Sequence, residues 1–121
     1  MLPTRRLAAL LLALLAASVP ILAVAPPAAA VEQSVAIKDF AYAPANIQIN
    51  AGDTVTWTNL EAIIPHDVST KIPGEPEPAQ PFESPMLQPS ESVSVTFSTP
   101  GVYQYFCSLH PTMLGYVTVV G

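Results

Sequence analysis

Two short segments of this 121-residue sequence carry side chains that bind soft metals: Pro65-His66, and Cys107-Ser108-Leu109-His110-Pro111-Thr112-Met113. A thiolate, two imidazoles and a thioether form a soft donor set, and a trigonal group of two His and one Cys with a long axial Met suits copper. Zinc takes the same Cys and His donors, but a thioether is a poor zinc ligand. Each residue also has a duller reading. A lone Cys is often a small buried hydrophobe, a lone Met fills a core, and a His beside Pro is commonly a loop residue. Those readings weaken together, because both histidines of the chain and its one cysteine fall into a single spacing pattern. Cys107, His110 and Met113 lie in one short loop, so His66 must come from a distant segment and a shared metal would tie the two together.

The elements that must position these donors read as β-strands. Short alternating runs recur between turn residues, and no long stretch has a helical period. Val35 and Ile37 alternate, then Ile47 and Ile49. Ala51-Gly52-Asp53 is a tight turn into Thr54–Thr58, where Val55 and Trp57 share a face and Trp57 reads as core. Val93, Val95 and Phe97 alternate before the turn Thr99-Pro100-Gly101. Tyr103, Tyr105 and Cys107 then share one face of a strand, with Val102, Gln104 and Phe106 on the other, and Tyr116–Val120 closes the domain. This places Cys107 at a strand end, facing inward. Seven or eight short strands describe a small all-β sandwich or barrel. Lys71–Pro89 breaks the pattern with six prolines in nineteen residues and carries Glu75, Glu77 and Glu83. Proline cannot donate to a ladder, so this stretch is a loop or an irregular edge. Its plain reading is a solvated connection, its functional one a docking surface.

Composition divides the chain in two. Residues 1–30 contain both arginines and no acid, with Arg5-Arg6, an apolar run Leu7–Ala17, helix-interrupting Pro20 and Pro26-Pro27, and the small residues Ala28-Ala29-Ala30. That is the layout of a secretory signal peptide cleaved near Ala30, although an uncleaved anchor would use the same apolar run. Residues 31–121 hold two lysines and nine acids, which leaves the body at −7 with neutral histidines. One domain of this size is neither a polytopic membrane protein nor a multidomain enzyme. It lacks the clustered Lys and Arg that nucleic-acid binding needs. One cysteine cannot form an internal disulfide, and in an oxidising compartment it needs a reason to stay reduced.

Asp53–Ser69 (DTVTWTNLEAIIPHDVS) and Gly101–Val120 (GVYQYFCSLHPTMLGYVTVV) resemble the two ligand segments of the cupredoxins. The short C-x2-H-x2-M loop is most similar to that of the amicyanins; plastocyanins and pseudoazurins have longer spacers. The resemblance covers most of residues 35–121 and implies a Greek-key β-sandwich over 31–121 with one type 1 copper ion at one end. It also implies one-electron shuttling between periplasmic redox proteins, not catalysis. Carried over, His66, Cys107 and His110 are equatorial ligands and Met113 the weak axial one. The family often has asparagine after the first histidine, where this chain has Asp67; a carboxylate there can accept a hydrogen bond from Ser108, and its charge favours Cu(II). The edge of His110 is expected to surface among Ile63, Ile64, Pro65, Pro111 and Leu114 and to pass electrons by outer-sphere transfer. His110 is also expected to protonate and leave copper on reduction. Phe106 reads as packing in preference to a second electron path. The implied partners of a monomeric protein are an amine dehydrogenase as donor and a c-type cytochrome as acceptor. The alternative with the same ligands is a periplasmic copper carrier.

Overall fold

The computed structural model of the chain describes Met1, residues 12–23 and residues 29–121. Of the expected signal peptide, Arg5, Arg6 and residues 7–11 and 24–28 lie outside the described residues, while residues 12–23 carry neither helix nor strand. No described helix is long and apolar enough to cross a membrane.

Among the described residues there are seven strands: β1 (Glu32–Lys38), β2 (Ala41–Ala43), β3 (Asn46–Asn50), β4 (Thr54–Asn59), β5 (Ser92–Thr96), β6 (Gly101–Phe106) and β7 (Leu114–Val120). They form a sandwich of a four-stranded sheet, in the order β2-β1-β4-β5, and a three-stranded sheet, β3-β7-β6. β1 runs parallel to β4 and β3 parallel to β7, pairings that tight hairpins cannot make. The chain therefore crosses between sheets in Greek-key fashion. β2 is the element the sequence did not announce: three residues after a two-residue turn at Asp39-Phe40.

Alternation sets the faces. Val35, Ile37, Val55 and Trp57 of one sheet and Ile49, Tyr103, Tyr105, Val117 and Val119 of the other are buried. The Trp57 ring lies 5.3 Å from Tyr105 and 5.6 Å from Phe82, and Phe97 lies 4.9 Å from Tyr103, all in offset or edge contacts that aromatic quadrupoles favour. On the outer face of β4 and β5 the residues are small and polar, and Thr54–Thr96, Thr56–Ser94 and Thr58–Ser92 join hydroxyl to hydroxyl. Gly115 on β7 is a steric requirement: a Cβ there would overlap the Tyr105 ring.

Two expectations change. Lys71–Pro89 is an irregular edge only in its second half, not a solvated connection throughout. Phe82 packs against the core, Leu87 is fully buried, and Leu87 and Glu83 bridge to His66 and Ser69. Phe106, on the face of β6 opposite Tyr105, is buried as the packing reading expects, although that face was expected to point outward; its backbone pairs with Ser69 in an isolated bridge.

Candidate metal centre

β1, β4 and β6 all end at one end of the sandwich, and the candidate ligands gather there. Beyond β4, the buried Asn59 organises the loop that follows. Its Nδ2 donates to the carbonyls of Ile64 (2.8 Å) and Leu87 (2.9 Å), and its Oδ1 accepts from the Glu61 N–H (3.0 Å). His66 then exchanges backbone hydrogen bonds of 3.1 and 2.7 Å with Leu87, and Ser69 exchanges two of 3.0 Å with Phe106. The His66 segment is thus fixed between an irregular edge and β6.

Cys107 follows β6 directly and is fully buried, as the inward alternation of Tyr103 and Tyr105 requires. The loop after it is a pair of turns. His110 N–H donates to Cys107 O (3.2 Å), Met113 N–H to His110 O (2.9 Å), and Cys107 N–H back to Met113 O (3.3 Å). Three-residue spacing is therefore what brings His110 and Met113 back beside the cysteine. His66 Nδ1 and His110 Nδ1 lie 3.7 and 3.6 Å from Cys107 Sγ and 3.1 Å from each other. Donors at about 2.0 Å for nitrogen and about 2.3 Å for sulfur, spread trigonally around one ion, sit roughly 3.5–3.8 Å apart. The observed triangle is close to that size, and its donors are soft. Met113 is buried beside it, closing the loop.

The surroundings orient the donors. Glu61 Oε1 lies 3.4 Å from His66 Nε2 and also accepts the Phe40 N–H at 2.9 Å. A carboxylate acceptor at Nε2 keeps the ring proton there and leaves the Nδ1 lone pair for a metal. The Phe40 N–H, with His66 adding, holds the Glu61 carboxyl below the usual carboxylate range. The Phe40 ring stands edge-on to both imidazoles, with centroids 5.7 Å from His66 and 5.0 Å from His110. Asp39 and Phe40 both have positive φ, 52° and 55°, as a two-residue turn between antiparallel strands requires; Asp tolerates this readily, whereas it strains a bulky Phe. Asp67 accepts from the Ser108 N–H (2.6 Å) and the Ser108 hydroxyl, joining the first ligand segment to the cysteine loop. The asparagine-type bridge therefore survives with a carboxylate. Tyr42 donates to the Asp67 carbonyl (2.6 Å), its hydroxyl held protonated far above the usual phenol range by burial, with Cys107 adding. Burial likewise pushes the Cys107 thiol up, against backbone donors around it. A buried thiol of this kind becomes a thiolate when a metal cation supplies the missing positive charge.

A model of copper-binding proteins, the plastocyanin/azurin family, matches residues 29–120. The chain belongs to this cupredoxin family. Amicyanin-alpha of Methylorubrum extorquens is 45% identical over 73 residues, which are 60% of this chain and 59% of that protein. Amicyanin of Paracoccus versutus is 38% identical over 102 residues, 83% and 72% of the respective chains. The chain thus spans less than two thirds of the first relative and more than two thirds of the second. Among solved structures, a Cu(I) form of an amicyanin variant superposes with a TM-score of 0.64 at 34% identity, over 74% of this chain and 82% of the other. A copper-containing nitrite reductase from Thermus scotoductus SA-01 superposes with a TM-score of 0.67 at 28% identity, over 85% of this chain but 25% of that enzyme.

Copper is the family's metal, and the cupredoxin chain described here brings His66, Cys107 and His110 together with Met113 alongside. His66 and Cys107 are fully buried, while His110 is half-buried and reaches the surface. Around it, Ile63 and Leu114 are exposed and Ile64 and Pro65 half-buried, and the structure adds exposed Phe40 and Leu109 to that end. Phe40 and Glu61 are the site residues that the sequence reading missed. The available signals were a turn-tolerant Asp39 between two apolar alternations, and a carboxylate in the same loop as the first histidine.

Proposed function

We propose that this cupredoxin is an electron-transfer protein whose copper is held by His66 Nδ1, Cys107 Sγ and His110 Nδ1, with the Met113 thioether as a weak axial ligand. The observation that carries this reading is the donor triangle at one closed end of the sandwich. A copper ion there would supply a one-electron Cu(II)/Cu(I) couple. The chain's own contribution is rigidity: hydrogen bonds through Asn59, Glu61, Asp67 and the two turns of the loop fix the donors, so little rearrangement accompanies a change of charge. Burial of His66, Cys107 and Met113 keeps water from the donors, and the edge of His110 is the side chain through which an electron leaves by outer-sphere transfer.

In this reading, residues 1–30 are a signal peptide, residues 31–121 are the mature domain, and the protein works as a monomer in the periplasm. Four protein ligands leave no open position for a substrate, which argues against catalysis; the nitrite reductase likeness covers a quarter of that enzyme. The partners are redox proteins that meet the apolar surface around His110 briefly, since such complexes use small interfaces. The acidic body steers basic partners and makes association salt-dependent. By resemblance, an amine dehydrogenase is the donor and a c-type cytochrome the acceptor. Addition of Cu(II) to the mature protein is expected to give an intense visible thiolate-to-copper band that ascorbate bleaches and an oxidant restores. A colourless product overturns the type 1 site; a band without reversible bleaching leaves a copper carrier.

A further inference from the structure

The end of the sandwich remote from the donors contains a charge without a counter-charge. Asp53 is 6% exposed, and no cationic group contacts it among the described residues. Its Oδ1 accepts the Val31 N–H at 2.9 Å and its Oδ2 the Asn50 N–H at 2.9 Å. The residue is rigidly placed, since Phe97 N–H donates to its carbonyl (2.9 Å) and Gly52 N–H to the Phe97 carbonyl (2.7 Å). Val31 is held on its other side too, its carbonyl accepting the Thr54 N–H at 3.0 Å as β1 enters its parallel pairing with β4. The carboxylate next to Val31 on β1, Glu32, accepts from the Thr56 hydroxyl instead. Both carboxylate oxygens are thus served by neutral backbone donors, and a cationic donor in place of one of them would hold the charge more strongly.

The missing cation is one bond cleavage away. Val31 is the residue after Ala28-Ala29-Ala30, the small-residue stretch where a leader is expected to be cut. We propose that the Ala30–Val31 bond is the processing site and that the α-ammonium released on Val31 forms an ion pair with Asp53 that locks the mature fold. The inference rests on the signal-peptide reading above. A leader peptidase with one water hydrolyses the amide: the water oxygen goes to the Ala30 carbonyl carbon, giving a carboxylate, and the nitrogen leaves on Val31 as an amine that takes up a proton. That nitrogen is already 2.9 Å from Oδ1. Processing therefore converts a neutral hydrogen bond into a charge-assisted one, the stronger class, without moving an atom of the sandwich.

The test uses the exported, copper-loaded protein expressed from the full chain. Mass spectrometry is expected to find Val31 as its first residue. Pyridoxal-phosphate transamination, which turns the α-ammonium into a ketone and spares Lys38 and Lys71, is expected to lower Tm by about 4–8 °C. In an Asp53→Asn variant the same treatment is expected to lower Tm by less than about half as much. Should that variant fail to fold, acylation of the Val31 amine in the wild-type protein gives an independent readout. It is expected to be about tenfold slower than in the urea-unfolded chain, as for an amine whose proton is held one pKa unit more tightly. A first residue other than Val31 overturns the processing site. A Val31 terminus whose transamination leaves Tm unchanged, or whose acylation is equally fast folded and unfolded, leaves the cleavage intact and overturns the ion pair.

Discussion

The two ends of the sandwich solve the same problem in opposite ways. At the end bearing Asp53, the turn Ala51-Gly52-Asp53 puts glycine at the positive φ of 98°, where no Cβ is strained, and backbone hydrogen bonds to Val120 and Phe97 pin it to both sheets. At the donor end, the turn between β1 and β2 puts Phe40 at φ 55°, a conformation that burdens a bulky side chain, and a neighbouring carboxylate secures it. One end is relaxed and the other strained, and the strained end carries the chemistry. Strain held at a site by a rigid frame is a common form of preorganisation. Here its benefit is visible, because the same φ aims the Phe40 ring at both imidazoles.

Breaking the donor end outright gives the largest effect. Cys107→Ser is expected to abolish the intense visible band, because the thiolate is the source of that transition, while the sandwich stays folded by circular dichroism. Gly115→Ala attacks the frame between the ends. Its methyl group must displace the Tyr105 ring, and a denaturant midpoint corresponding to about 2–3 kcal/mol of lost stability is expected, with the band still formed. Phe40→Gly sharpens the contrast. Relief at φ 55° offsets lost ring contacts, so folding stability should move by less than about 1 kcal/mol. Copper release to a chelator should nevertheless accelerate about tenfold, because the imidazoles lose an orienting neighbour. Asp67→Asn removes a negative charge beside the cysteine loop and is expected to raise the midpoint potential in voltammetry, since that charge favours the more positive oxidised ion.

The smallest effect is at the relaxed end. Backbone N–H groups of Val31 and Asn50 hold the Asp53 carboxyl below the usual carboxylate range. A depressed folded-state pKa stabilises the fold at pH values above the unfolded value of about 3.9, and this contribution is lost as pH falls through the lower folded value. Urea midpoints from pH 6 down to pH 2 should therefore decline less steeply for Asp53→Asn than for wild type.

What the sequence revealed follows the range of the interactions. The loop from Cys107 to Met113 was legible because its geometry is local: two turns, each closed within three residues. The faces of β4 and β6 were legible because alternation of Val55 with Trp57, and of Tyr103 with Tyr105 and Cys107, records burial directly. Phe40 and Glu61 were not, because they meet each other across 21 residues and reach the histidines only through the fold. Nor did anything in Phe40 itself announce a left-handed turn, which glycine or asparagine would have signalled. In Lys71–Pro89 the prolines obscured Phe82 and Leu87, two apolar residues whose burial comes from partners at Trp57 and His66. Phe106 was rightly read as packing, but its outward placement was not, for a related reason. Its neighbours on β6 alternate cleanly, and the strand is joined there by a bridge from Ser69, 37 residues earlier in the chain, which the alternation does not record.

The pairing of β3 with β7 has a consequence for how the chain comes to be folded. Asn46 lies opposite Tyr116, and Asn50 opposite Val120, so β3 has no sheet partner until a segment seventy residues later has been made. Closing so long a loop is slow, because its entropy is lost before the contacts form. A ribosome-bound or half-threaded chain thus lacks the central strand of its second sheet. Under the export proposed above, that delay keeps the chain threadable through a narrow translocation pore until its last strand has emerged.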